Sequence, residues 1–178
     1  MTTKLFDTDN GDVFNITLDA GYCFAMCLDL AKVILIHIRD GKATKLPHLS
    51  ELTPGKWAIV QSSYEINDHQ ADSELVEAQG FTITNLIEGT VDSGLKSAVN
   101  EITKQSGTSV FSVLGKSSGH SLLWHRDDEN DFFLYLDPNE GLYRFSDVEE
   151  GRKYVAKDVA QGYPKLNKKY DSFTLALD

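Results

Sequence analysis

Between residues 117 and 145 the chain reads SSGHSLLWHRDDENDFFLYLDPNEGLYRF, and this pattern admits little besides a β-hairpin. Two runs rich in aromatic and apolar residues, 120–125 and 132–136, flank an acidic stretch and end in turn-forming residues. With Asp127, Asp128, Glu129 and Asn130 as a four-residue loop, Arg126 faces Asp131, Trp124 faces Phe133, Leu122 faces Tyr135 and His120 faces Asp137. Alternate residues of a strand point the same way, so the last three pairs share one face. Opposed β-carbons lie about 5 Å apart, close enough for an imidazole to meet a carboxylate. The hairpin therefore offers a His–Asp pair at one end of a hydrophobic ladder, in which Trp124 and Phe133 act as buttress.

A nucleophile to match stands near the other end of the chain. In residues 19–27, DAGYCFAMC, a turn of small residues opens into a long apolar run. Cys23 is expected in the first turn of a helix, where free N–H groups and the positive end of the helix dipole favour a thiolate. Thiolate, histidine and orienting carboxylate form the constellation for attack on an acyl carbon.

Gly21-Tyr22-Cys23 opening a helix, Gly119-His120 opening a strand, and Asp137-Pro138-Asn139-x-Gly141 followed by Tyr143 and Phe145 resemble the YopT/AvrPphB-type cysteine peptidases, a papain-like family of bacterial effectors. The order Cys, His, Asp is the family's. Two departures stand out. The family usually carries a tryptophan about one turn beyond the cysteine, where this chain has Leu28-Asp29-Leu30, and Met26-Cys27 replaces small polar residues. The resemblance implies an α+β, papain-like fold: a helical lobe followed by a small antiparallel-sheet lobe, with the site in the cleft between them. It also implies a monomeric secreted effector or toxin that needs no cofactor and acts on a protein of a target cell. For an antibacterial toxin, a cognate immunity or inhibitor protein is expected.

Composition fits this picture. A chain of 178 residues with 41% hydrophobic and 25% charged residues is expected to form one globular domain. Its formal charge of −10 argues against a nucleic-acid partner, whose phosphates call for basic patches. Two cysteines are too few for a disulfide framework. The first ten residues lack the apolar core of a Sec signal, and no apolar run approaches membrane-spanning length. The expectation is synthesis in the cytoplasm and delivery by a specialised secretion system into the target-cell cytoplasm.

Along the chain, residues 13–18 read as a short strand or an irregular approach to the helix. Residues 23–36 are apolar on nearly every face, as in a buried central helix. The β-branched run 33–38 leaves a strand reading open for its end, and Asp40-Gly41 closes the element. Short helices are expected at 57–64, 73–79 and 93–105, giving a mostly helical lobe over about 13–107. From about 108 to 178 the pattern predicts strands at 109–114, in the hairpin, at 142–145 and at 170–177. A helix over 147–161 with Asp147 as N-cap interrupts them.

In the resulting mechanism Asp137 accepts the Nδ1–H of His120, His120 exchanges a proton with Cys23, and the Cys23 N–H supplies one oxyanion donor. Asn15, the nearest upstream amide, is the candidate for the second donor. Cys27, one turn beyond Cys23, is open to three readings: core, auxiliary thiol, or half of a metal site. Zinc would accept Cys23, Cys27, His120 and His125, but the two histidines are an odd number apart on one strand and project to opposite faces. No metal is therefore expected, and His125 is read as a surface residue. Tyr22 and Trp57 are candidates for the wall of a substrate groove. The same constellation also serves glutamine deamidases, acyltransferases and peptidoglycan amidases. A non-catalytic binding module of the same shape is the remaining alternative.

Overall fold

The computed structural model describes residues 1–9, 21–65 and 68–178. In chain order the elements are β1 (Thr2–Asp7), α1 (Cys23–Arg39), α2 (Trp57–Ser63), α3 (His69–Ala78), β2 (Phe81–Thr90), α4 (Leu95–Thr103), β3 (Gly107–Leu114), β4 (Gly119–Asp127), β5 (Phe132–Asp137), β6 (Gly141–Phe145), α5 (Val148–Gly162) and β7 (Lys169–Leu177). Two short 3₁₀ turns, Leu49–Glu51 and Pro54–Lys56, precede α2. The fold is α+β, built on a seven-stranded antiparallel sheet of order β1-β6-β5-β4-β3-β7-β2.

Helix α1 is the centre of one layer. Phe24, Met26, Cys27, Leu30 and Ala31 have no exposed surface, and the helix packs on β3, β4 and β7 with α2 alongside. The β-branched run near its end is helical, not a strand. Val33, Ile34 and His37 are buried there, and packing of this kind overrides a propensity of a few tenths of a kcal/mol per residue. The helix stops at Asp40, followed by Gly41 in the left-handed region at φ 72°. On the opposite face of the sheet, α4 and α5 cover Phe111, Leu122, Trp124, Phe133, Tyr135 and Phe145. Asp147 caps α5 by accepting the Glu150 N–H at 2.7 Å.

Two strands fall outside the sequence expectation, and both lie at sheet edges. In β2, a register shift between Ile83 and Asn85 breaks the alternation that would have marked a strand, and much of its outer half is exposed. β1 is short and itself irregular between Lys4 and Phe6. The first part of the chain thus contributes both edges of the sheet as well as helices. The 13–18 segment lies outside the described residues. Among the described residues no helix is long and apolar enough to cross a membrane.

The hairpin register also differs from the expectation. β4 continues to Asp127, which pairs with Phe132, and Trp124 pairs with Tyr135 rather than Phe133. The loop is displaced by one residue because the Asp127 carboxylate caps it, accepting the N–H groups of Glu129 and Asn130 at 3.1 Å. Asp131 closes it with a left-handed φ of 48°. The displacement is two residues in register, an even number, so every side chain keeps its predicted face.

Candidate active site

Cys23 is the first residue of α1 and is 8% exposed. His120 is the second residue of β4 and Asp137 the last of β5. In the observed register these two are diagonal neighbours on one face, a separation that long side chains span. His120 Nε2 lies 2.9 Å from Asp137 Oδ1, with both side chains buried. The ring is therefore turned the other way from the sequence expectation: Nε2 meets the carboxylate, which leaves Nδ1 as the nitrogen available to Cys23, whose charged form the ring favours.

Asp137 is held by more than the histidine. Its Oδ1 accepts the Asn139 N–H at 2.9 Å, a bond set up by the Asp-Pro-Asn turn. The Tyr163 hydroxyl, at the end of α5, lies 2.9 and 2.7 Å from its two oxygens. The turn is tied down by Thr8, whose hydroxyl donates to the Pro138 carbonyl at 2.7 Å. Neither Thr8 nor Tyr163 carries a signal in the sequence. Both reach the site from distant segments, and no local pattern marks them.

The charges are mutually consistent. Burial alone would push the Cys23 thiol up, but the His120 ring, then the N–H groups of Ser121 and Phe24, hold it below its ordinary value. For His120, burial works against the charged form, yet Asp137 and Cys23 raise it to about 9. Asp137 is lowered despite its burial, chiefly by His120 and Tyr163. These directions all favour a thiolate beside an imidazolium, with a carboxylate on the far side of the ring. Such a group is able to attack an electron-poor carbonyl carbon and to return a proton to the leaving group.

The remaining candidates fall elsewhere. Cys27 has no exposed surface and lies in the apolar cluster around α1, where burial pushes its thiol well up. His125 is a correction: it is buried, not on the surface. Its Nδ1 lies 2.9 Å from the Thr108 hydroxyl and burial lowers it to about 4. Tyr22 and Trp57 are core residues at 2% and 1% exposed, and Trp57 also lines a pocket between α1 and α2 with Ala25, Leu28 and Val60. The Trp57 indole donates to Asp29 on α1 at 2.8 Å, so a tryptophan does bind this helix, but from α2. Asn15 lies outside the described residues. A further residue, Gln61 on α2, was not anticipated: its side-chain oxygen accepts the N–H groups of Phe24 and Ala25.

A cysteine heading a buried helix, set against a histidine and an aspartate on an antiparallel sheet, is laid out on the fold of the papain-like cysteine peptidases. The chain is similar to the Pseudomonas avirulence protein AvrPphB, with a TM-score of 0.65, 13% identity and 97% of each chain covered. It is also similar to PatoxP, a cysteine protease-like domain of the Photorhabdus asymbiotica toxin PaTox, with a TM-score of 0.50 and 13% identity, covering 96% of this chain and 54% of that one. No family model and no curated protein sequence matches the chain. At 13% identity the likeness is one of fold.

Proposed function

We propose that this chain is a cysteine peptidase, acting as a secreted bacterial effector or toxin, that uses Cys23, His120 and Asp137 to cleave a peptide bond in a target-cell protein. One observation carries this reading: the buried 2.9 Å His120–Asp137 pair facing the thiol at the head of α1. The Cys23 thiolate attacks the peptide carbonyl. His120 protonates the departing amine, and water, deprotonated by the same ring, then releases the acyl-enzyme. Asp137 keeps the ring in register throughout. The Cys23 N–H is one oxyanion donor and Asn15 the other. The similarity to an avirulence protein and to a toxin domain supports an effector role. Delivery by a specialised secretion system and, for a bacterial target, an immunity protein covering the site belong to the same proposal.

The test is to add wild-type and Cys23→Ala protein to target-cell extract and to profile new protein N-termini. New termini with wild type and none with Cys23→Ala are expected. Termini that persist with Cys23→Ala overturn the mechanism. Glutamines converted to glutamate without new chain ends would make the enzyme a deamidase on the same triad.

A further inference from the structure

Among the described residues, the first turn of α1 is not capped by the residue at its N-cap position. Tyr22 at the N-cap makes no side-chain bond to the turn, and no acidic residue stands within it. Helix geometry leaves the first N–H groups without intrahelical acceptors, and Phe24 and Ala25 are buried. Their acceptor comes from another element. The Gln61 side-chain oxygen lies 3.0 Å from the Phe24 nitrogen and 3.2 Å from that of Ala25. Trp57, one turn earlier on the same face of α2, grips Asp29 of α1. Helix α2 is thus fastened to α1 at two points, one of them beside the cysteine.

The acceptor's chemistry matters as much as its place. Helix N-termini are usually capped by Ser, Thr, Asp or Asn in the chain just before them. Here the cap is a neutral amide brought in from a distance. The Phe24 N–H also favours the Cys23 thiolate, so the amide draws on a donor whose field stabilises the sulfur. A carboxylate in the same position would satisfy the turn equally well and would favour the helix dipole. It would also set a second negative charge beside the thiolate.

We propose that Gln61 is a positioning residue for Cys23, reaching from α2 to fix the first turn of the nucleophile helix with an uncharged acceptor. This rests on Cys23 being the nucleophile. The test is the pH profile of Cys23 alkylation by iodoacetamide, with the labelled cysteine located by peptide mass spectrometry and folding checked by circular dichroism. Gln61→Glu keeps shape and acceptor but adds charge, and its inflection is expected to move up by about one pH unit. Gln61→Met keeps the length and removes the acceptor. It leaves the Phe24 N–H to the sulfur alone, and the inflection is expected to move down. Loss of packing by itself would move both variants the same way. Inflections that stay put, or shift together, overturn the assignment, and Gln61→Glu alone suffices should the Met variant not fold. A wild-type Cys23 that titrates as an ordinary thiol would instead overturn the nucleophile reading, and with it the role of Gln61. A depressed wild-type inflection indifferent to both substitutions removes only the latter.

Discussion

The Tyr163 ring lies over the His120 imidazole, centroids 4.3 Å apart and planes 27° from parallel. Its hydroxyl donates to the carboxylate that the same imidazole meets. One side chain thus packs the histidine and anchors its orienter. Tyr163→Phe keeps the stack and removes the donor. The expected result is a folded protein whose turnover falls about tenfold, matching the roughly 1.5 kcal/mol of a hydrogen bond to a charged group. Tyr163→Ala loses the stack as well and is expected to fall further. Steady-state kinetics on the two variants checks the order; equal losses would mean that the stack contributes nothing, and a Phe variant with wild-type turnover that the hydroxyl contributes nothing.

The ion pair sets a pH window. Cys23 is lowered, so its thiolate is present from below the ordinary thiol range, whereas His120 stays protonated up to about 9. Alkylation of Cys23 is expected to rise with pH earlier than that of a free thiol, and kcat/KM to fall on the alkaline side near pH 9. The stability contributions depend on pH in opposite directions. That of His120 is full below its unfolded value and lost as pH rises through about 9. That of Cys23 is full above its unfolded value and lost as pH falls through its lowered folded one. Asp137→Asn, which keeps the side chain's shape, is expected to reduce turnover about a hundredfold and to shrink the window from both sides. A profile unchanged by this substitution would remove Asp137 from the mechanism.

Away from the site, Asp72 is 1% exposed and burial raises it to about 7, with the charge of Asp171 adding to the rise and the Glu65 N–H opposing it. Asp171 is also buried and raised, to about 6, although His69 Nδ1 stands 3.1 Å from it. A carboxyl raised in the folded state stabilises most below its unfolded value and loses that contribution as pH rises through the folded one. Thermal melts should therefore show Tm falling between about pH 4 and 7, and Asp72→Asn should flatten the slope. A wild-type Tm independent of pH over this range would contradict the prediction.

Gly141 has φ 149°, and a β-carbon there would lie 2.1 Å from the Phe6 carbonyl oxygen. It joins the turn that presents Asp137 to the edge strand β1. Gly141→Ala is expected to destabilise by about 2–3 kcal/mol and to lower turnover through displacement of Asp137. Chemical denaturation measures the first effect. An unchanged midpoint would show that β1 yields at little cost.

The sequence by itself determined the elements that carry chemistry and the faces on which they present it. Turn residues bounded the hairpin, apolar alternation set its two sides, and a run apolar all round marked the central helix. These signals are local, and the two-residue period of a strand preserves a face even when the register is wrong by two. Tertiary structure decided the rest. Which imidazole nitrogen meets Asp137 is seen only in the packed site, where Tyr163 lies over the ring, and the edge strands β1 and β2 exist because β6 and β7 offer them partners. Thr8, Gln61 and Tyr163 reach the site only through long-range packing. Such contacts join residues far apart along the chain, and their partners' positions are set by the whole core, so no stretch of sequence taken alone specifies them.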